Sequence, residues 1–449
     1  VTASSPAVET KAQGGAVAFW ALMAFTFILL VSPQSFFPVL EPFRLALVSA
    51  AFAAGAYLLE RFFRREAIGL LTREMAIVAG LVALAILTVP FSYWPGGSVS
   101  VLFDIYLKTL VVFWLLGNTV NTLDRLRKVA WGLSLMAVPL ALTAVRNSIA
   151  GIFIRESIEV KRIDGYGAFL TGNPNDLALM LNLILPLTAA LFLIQRRTGG
   201  RILLLGMILL NAIAVMLTFS RGGFLTLAVL CLWGIWRLKS WVMRLGAIAA
   251  MVFFVFFLGL FSSSYTERLG TIVDIEADPT DSAQWRWKDT LAAVRLVARN
   301  PIIGAGMGMN VLALNQEVGA SHWNEIHNVY LEYAVDLGLP GLFLFTALLI
   351  ACLKNASFVR KRCQGVPGLR ELFHLAGGIE LSLIAFSVAA LFYPVGYQFY
   401  FYYLAGLAVA VKAIYLNGGA DRSLEKQSGF LSTKDRIQPG SYRLLNTEF

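Results

Sequence analysis

The chain has 449 residues, 58% hydrophobic and only 14% charged, with a mean hydropathy of +0.70. Soluble globules carry about 25% charged residues, so that class is excluded. The formal net charge of +10 is spread over short loops between apolar runs, not gathered in a soluble basic domain, which disfavours a nucleic-acid partner.

A bilayer-spanning helix needs about 20 apolar residues. Twelve runs qualify in chain order, roughly 17–32, 40–59, 75–92, 99–118, 129–148, 175–194, 202–219, 222–238, 241–261, 328–353, 374–392 and 396–416. The expected fold is therefore an all-α polytopic membrane protein with about twelve transmembrane helices. Its parts read as a cytoplasmic segment 1–16, helices one to nine over 17–261, a loop over 262–326, helices ten to twelve over 327–416 and a polar, poorly ordered tail over 417–449. The first apolar run reads as a retained anchor, without a cleavable-signal pattern.

Alternate loops are basic, with Arg61, Arg64, Arg65 and Arg73 in one and Arg196, Arg197 and Arg201 in another. The intervening Ser32–Phe43, Phe91–Ser98 and Phe392–Val395 contain no Lys or Arg. The positive-inside rule then places both termini in the cytoplasm. Cys231 and Cys352 fall in helices and Cys363 on the cytoplasmic side, a pattern that gives no disulfide framework.

On the outer side, three segments are polar. The first, Ala144–Thr171, carries Arg146, Arg155, Glu156, Glu159, Lys161, Arg162 and Asp164 and leads into Gly172-Asn173-Pro174-Asn175-Asp176. The second is the tight connection Ser220-Arg221-Gly222-Gly223. The third, Ser262–Ile326, is the longest, and loops of that length are usually functional or disordered. Within it, Asp281 and Gln284 resemble a capping box. Trp287, Leu291, Val294 and Ala298 then share one face of a helix flanked by Arg286 and Asp289. Asn300-Pro301 stops that helix, and Gly304-Ala305-Gly306-Met307-Gly308 reads as a flexible turn. The expectation is a helix lying over the membrane surface, a glycine-rich return, and then the tenth span.

The chemistry has few places to reside. Arg221 is the only charged residue between Arg201 and Arg237. An arginine at bilayer depth costs at least ~2.5–3.5 kcal/mol and faces protein or ligand unless it snorkels. Gly222 and Gly223 behind it allow close backbone approach, which suits an anion held by guanidinium and amides together. His327 stands where the long loop enters an apolar helix. The positive end of the helix dipole disfavours imidazolium, so the ring should be neutral and able to accept a proton. Asn324 and Asn328 are near enough in sequence to orient it. His322 reads as a loop residue, and His374 lies on the cytoplasmic side. Arg162 and Arg286 could be solvated loop charges, or with Arg221 a cationic site for a diphosphate. Asp274, Glu276 and Asp278 alternate in a pattern compatible with Mg²⁺ or Ca²⁺ ligands, but a solvated acidic loop is the favoured reading. No zinc spacing, Walker loop or dinucleotide fingerprint is present, so neither metal nor cofactor is expected.

Taken in order, Gly172-Asn173-Pro174-Asn175-Asp176-Leu177-Ala178, Ser220-Arg221-Gly222-Gly223, Arg286 with Asn300-Pro301 and Gly304-Ala305-Gly306, and His327-Asn328 through Gly338-Leu339-Pro340-Gly341 resemble the O-antigen ligase/polymerase superfamily of bacterial envelope enzymes. The resemblance implies a periplasmic loop between helices nine and ten, a Gram-negative inner-membrane location and an inverting, metal-independent glycosyltransferase. Its donor would be a glycan on undecaprenyl diphosphate, and a ligase would use the lipid A–core of lipopolysaccharide as acceptor, among membrane lipids. His327 would be the general base, Arg221 and Arg286 the diphosphate ligands and Arg162 a further donor contact. Asn173, Asn175 and Asp176 would shape the entrance of helix six. One dominant outer loop beside one moderate one favours ligase over a polymerase, and a protein O-glycosyltransferase is a further alternative. A lipid or polysaccharide transporter is the reading from another class. Polarity concentrated on one side argues against it.

Overall fold

The computed structural model describes residues 15–69, 71–153, 162–163, 165–168, 170–236, 240–242, 244–245, 282–319 and 323–434. The segment 1–14, most of the expected ninth span 241–261, the loop 262–281 with Asp274, Glu276, Asp278 and Asp281, and His322 lie outside the described residues. Thirteen helices of nine residues or more organise the described residues. They are α1 (Ala16–Val31), α2 (Leu45–Arg64), α3 (Arg73–Thr88), α4 (Pro95–Thr119), α5 (Leu123–Ala150), α6 (Pro174–Ile194) and α7 (Thr198–Leu217). They continue with α8 (Arg221–Trp236), α9 (Ser282–Arg299), α10 (Asn310–Val318), α11 (Val329–Cys363), α12 (Arg370–Ala389) and α13 (Phe399–Lys434).

Nine described helices are long and apolar enough to cross a membrane. Two more apolar helices, α1 and α8, are shorter. The protein is thus a multi-pass, almost wholly helical membrane protein. Among the described residues no strand forms beyond one isolated bridge between Phe153 and Ile163. The last helix continues to Lys434, past Asn417, where the sequence suggested an irregular tail.

Local chemistry sets the helix starts. The Thr72 and Thr122 hydroxyls cap α3 and α5, accepting from Met75 N and Arg125 N at 3.3 and 3.2 Å. Each capping bond satisfies one of the N–H groups that a helix start leaves unpaired. Gly151, at φ 65, ends α5 in the left-handed region open to glycine. Several polar groups within the spans find partners in neighbouring helices, which stand in for the water that the medium lacks. Ser134 meets Thr188 at 2.8 Å, Lys412 donates to Asn355 at 2.9 Å, and Arg360 pairs with Glu380.

The membrane core centres on α6, α12 and α13, whose inner faces are continuous with α5, α4 and α11. A second, smaller core lies against it. Ala292, Ala293 and Leu296 of α9, Ala305 and Met309 of the glycine-rich return, Ala313 and Leu314 of α10, Ile326, and Val335 of α11 pack together there. The expected apolar face of α9 points the other way, since Trp287, Leu291 and Val294 are exposed. Two kinds of apolar stripe share this helix. Small residues interlock with protein, while the large ones remain free to meet lipid, as a helix on a membrane surface would.

The glycine-rich return is anchored, contrary to the expectation of a flexible turn. Gly338, at φ 68 and ψ −174, breaks α11 and frees backbone groups that the return then satisfies. Ala305 N donates to Val335 O at 2.7 Å, Gly306 N to Asp336 O at 2.9 Å, and Leu339 N to Pro301 O at 2.7 Å. Broken backbone at membrane depth persists where protein re-satisfies it. The close approach explains the glycines, because a Cβ on Gly304 would sit 2.5 Å from Asp336 O.

Candidate functional site

One end of the bundle gathers the polar residues singled out in the sequence. Three helices begin there, and each start is built by a residue of those motifs. The Asn173 side chain caps α6, accepting from Asn175 N and Asp176 N at 2.8 and 3.0 Å, with Pro174 at the first position. Ser220 caps α8, its hydroxyl accepting from Gly223 N at 3.2 Å. Asn328 caps α11, accepting from Tyr330 N and Leu331 N at 3.0 and 3.1 Å. Helix N-termini present partial positive charge and favour anions.

Tyr393, in the connection between α12 and α13, joins two of these starts, those of α8 and α6. Its hydroxyl meets Ser220 Oγ at 3.1 Å, beside Arg221. Burial pushes the phenol up to about 12; the Ser220 hydrogen bond and the charges of Arg286 and Arg162 oppose the rise. The arginines from the first and third polar segments therefore act on one phenol. Arg162 is held in place by donating from Nη2 to Asn175 Oδ1 at 2.7 Å.

His327 precedes α11 by two residues and is half-buried. Its Nδ1 lies 2.9 Å from Glu325 O. A carbonyl can only accept, so Nδ1 carries the proton and Nε2 keeps a free lone pair. Burial is the main cause that lowers the ring to about 4, and the charge of Arg286 lowers it further. The imidazole is neutral at pH 7 and presents Nε2 as a proton acceptor. Carboxylates also belong to the site. Burial raises Glu325, and burial raises Asp289 against the opposing hydrogen bond from Asn324.

The structure thus brings Arg162, Arg286 and His327 into one electrostatic neighbourhood, with Arg221 next to Ser220 on its border. Several expectations are corrected. Asn324 does not orient the imidazole; its amide donates to Asp289 Oδ2 at 3.4 Å, tying the histidine segment to α9. Asn328 is occupied as a helix cap, and a backbone carbonyl orients the ring instead. Gly222 and Gly223 are buried, and protein fills the room they leave. A Cβ on Gly222 would lie 2.9 Å from Phe392 Cβ, and one on Gly223 would lie 2.7 Å from Ala178 Cβ. Their smallness lets α8 approach α6 and the Tyr393 connection. His374, early in α12, sits at the other end of that helix from Tyr393.

Tyr393 and Ser220 were missed as site residues. Tyr393 falls in a short, uncharged connection, and nothing local in the sequence reveals which loops it joins. Among the described residues no three His, Cys, Asp or Glu side chains gather as a metal site. Apart from the cluster, an apolar groove of about 520 Å³ runs between α1, α2 and α4, with Arg44, Glu41 and Lys108 among its lining. The connection before α2 lies on the same side as the cluster, because Tyr166 OH donates to Val31 O at 2.7 Å and its ring packs on Phe36.

Fold and cluster together define a multi-pass helical membrane protein with a cationic, histidine-bearing site at one end of its bundle. Residues 205–346 match the family model described as O-antigen ligase, a stretch that includes Arg221, Arg286 and His327. The match spans less than half of the chain; it supports an assignment to the O-antigen ligase family and, through it, a membrane glycosyltransferase-like activity of the ligase/polymerase type. A comparison with curated proteins finds no match.

Proposed function

We propose that the protein is an O-antigen ligase, transferring a glycan from undecaprenyl diphosphate to the lipid A–core of lipopolysaccharide at the periplasmic side of a Gram-negative inner membrane. The observation that carries this reading is the neighbourhood of a neutral histidine and Arg286 within the O-antigen ligase domain. In the proposed reaction Nε2 of His327 removes the proton of the acceptor hydroxyl. The oxygen attacks the anomeric carbon from the face opposite the diphosphate, and the glycosidic C–O bond to phosphate breaks. One inversion results, and undecaprenyl diphosphate leaves with the bonding pair.

Arg221, Arg286 and Arg162 suit the growing negative charge on the leaving diphosphate, because guanidinium groups stay protonated and bind phosphate oxygens in pairs. Three helix N-termini add to the same field. A diphosphate is already a good leaving group, so charge stabilisation and one base suffice, and the proposal needs no metal. The apolar groove between α1, α2 and α4 suits a lipid chain on that side of the membrane. Asn173 and Asn175 support the site indirectly, one by starting α6 and the other by holding Arg162.

A polysaccharide polymerase shares the domain type and differs in its acceptor, a second lipid-linked glycan. Reconstitution with lipid-linked glycan donor and separate acceptors distinguishes the two. Transfer to lipid A–core alone supports ligase, and transfer only to a second lipid-linked glycan overturns it in favour of polymerase. Transfer only to a pilin would make it a protein O-glycosyltransferase. No transfer to any acceptor, with glycan lipid moved across the vesicle membrane, would make it a transporter.

A further inference from the structure

The segment 323–328 has no regular secondary structure, yet the candidate base stands on it. Its position is set by a few backbone bonds, such as Asn328 N to Ile326 O at 2.7 Å, and by the side chains around it. Ile326, the residue before His327, is 1% exposed and packs in the small core with Ala292 and Leu296 of α9. Its N–H points to Asn310 Oδ1 at 3.5 Å. Asn310 opens α10 and is itself buried, and its Nδ2 donates to Asp336 Oδ2 at 3.3 Å. Asp336 is fully buried in the first half of α11, and the same oxygen accepts from Gly308 N at 2.9 Å and from Tyr397 OH at 3.0 Å.

We propose that Asn310, oriented by Asp336, is a positioning residue for His327. The side chain type is decisive. An amide donates to a carboxylate with one end and accepts a backbone N–H with the other. A second carboxylate there would face Asp336, and an apolar isostere would leave both Ile326 N–H and one lone pair of Asp336 without a partner in a buried place. The bond from Asn324 to Asp289 closes the frame from the α9 side, so the base and Arg286 are held by one set of contacts. Of the charged groups nearby, Arg286 of α9 acts on the ring itself; Asp289 of α9 reaches its segment through Asn324, and Asp176 of α6 senses Glu325 on that segment. The inference rests on His327 being the base, but its structural half can be read without any turnover.

The chain has three histidines, so His322→Gln with His374→Gln leaves His327 as its sole imidazole. Its titration by NMR in nanodiscs is one readout, and reconstituted glycan transfer is the other. In Asn310→Leu the segment opens to water, and the midpoint should rise from about 4 toward the ordinary value of about 6.5. The turnover number should fall roughly tenfold to a hundredfold with the donor KM within about twofold, because orientation is lost and diphosphate contacts are kept. Asp336→Asn, which keeps an acceptor oxygen for Asn310, should restore most of the turnover that Asp336→Leu loses. Asn310→Ser, smaller and polar, tests the same titration if the leucine variant does not fold. An unchanged His327 midpoint in a folded Asn310 variant overturns the proposal. A shifted midpoint in a protein whose wild type transfers no glycan would leave the positioning intact and remove the proposed function.

Discussion

Gly338→Ala tests whether the break in α11 holds the site together. Gly338 sits at φ 68 and ψ −174, and a Cβ there would lie 2.5 Å from Ile302 O and 2.6 Å from Ile302 C. A non-glycine residue in a sparsely populated backbone region costs about 1–3 kcal/mol. The clash meets backbone, which cannot rotate away, and overpacking of this kind adds about 1–3 kcal/mol. The expected loss is therefore about 2–6 kcal/mol, delivered where Pro301–Gly308 docks on α11. Gly365→Ala is the control, because Gly365 has φ 72 but nothing within 4 Å of its would-be Cβ. Only the backbone part applies there. Thermal unfolding of both purified variants in one detergent, with transfer assayed at a temperature where each is folded, separates the effects. Gly338→Ala should melt well below Gly365→Ala and lose transfer even when folded, because the return carrying Gly308 and the start of α10 can no longer seat. Equal melting temperatures and wild-type transfer in Gly338→Ala would refute the anchored-return reasoning.

Three further outcomes follow from the site. Arg286→Gln removes the second cause of the low His327 value, so the midpoint should rise above about 4 yet stay below the ordinary value, since burial, the larger cause, remains. The base works when neutral, so activity falls as pH drops through that midpoint, and the acid limb of kcat/KM should move to higher pH in this variant; a limb that moves the other way sinks the electrostatic account. His327→Ala and Arg221→Ala should each abolish transfer, by roughly a hundredfold or more, with unchanged elution in detergent; wild-type turnover in either removes that residue from the mechanism. Full activity is expected in excess EDTA, and a loss that Mg²⁺ restores would bring Asp274, Glu276 and Asp278 back as a metal site.

The candidate site was readable in part because its residues obey local rules. Arg221 stands out as a lone charge in a long apolar stretch, and His327 as an imidazole at a helix mouth. Both signals come from the cost of polarity near lipid, which acts on each residue wherever its partners are. The asparagines were misread because their partners are remote or backbone. Asn324 is committed to Asp289, 35 positions earlier. Asn328 is committed to the two N–H groups that follow it. Gly222 and Gly223 were legible as places of close approach, but whether ligand or protein makes the approach depends on α6 and the Tyr393 connection.

The sequence by itself determined that the chain is a helical membrane protein, where most spans begin, and which segments between them are polar. Hydropathy, positive charge in alternate loops and helix-capping residues act over a few neighbouring positions, so a single chain displays them. Tertiary structure alone decided that Tyr393 joins the starts of α6 and α8, that α11 breaks at Gly338 to receive the glycine-rich return, and that Asp336 and Asn310 lie behind His327. These depend on residues far apart in the chain meeting in a medium without water, where each freed backbone group or buried carboxylate must find a partner in the protein.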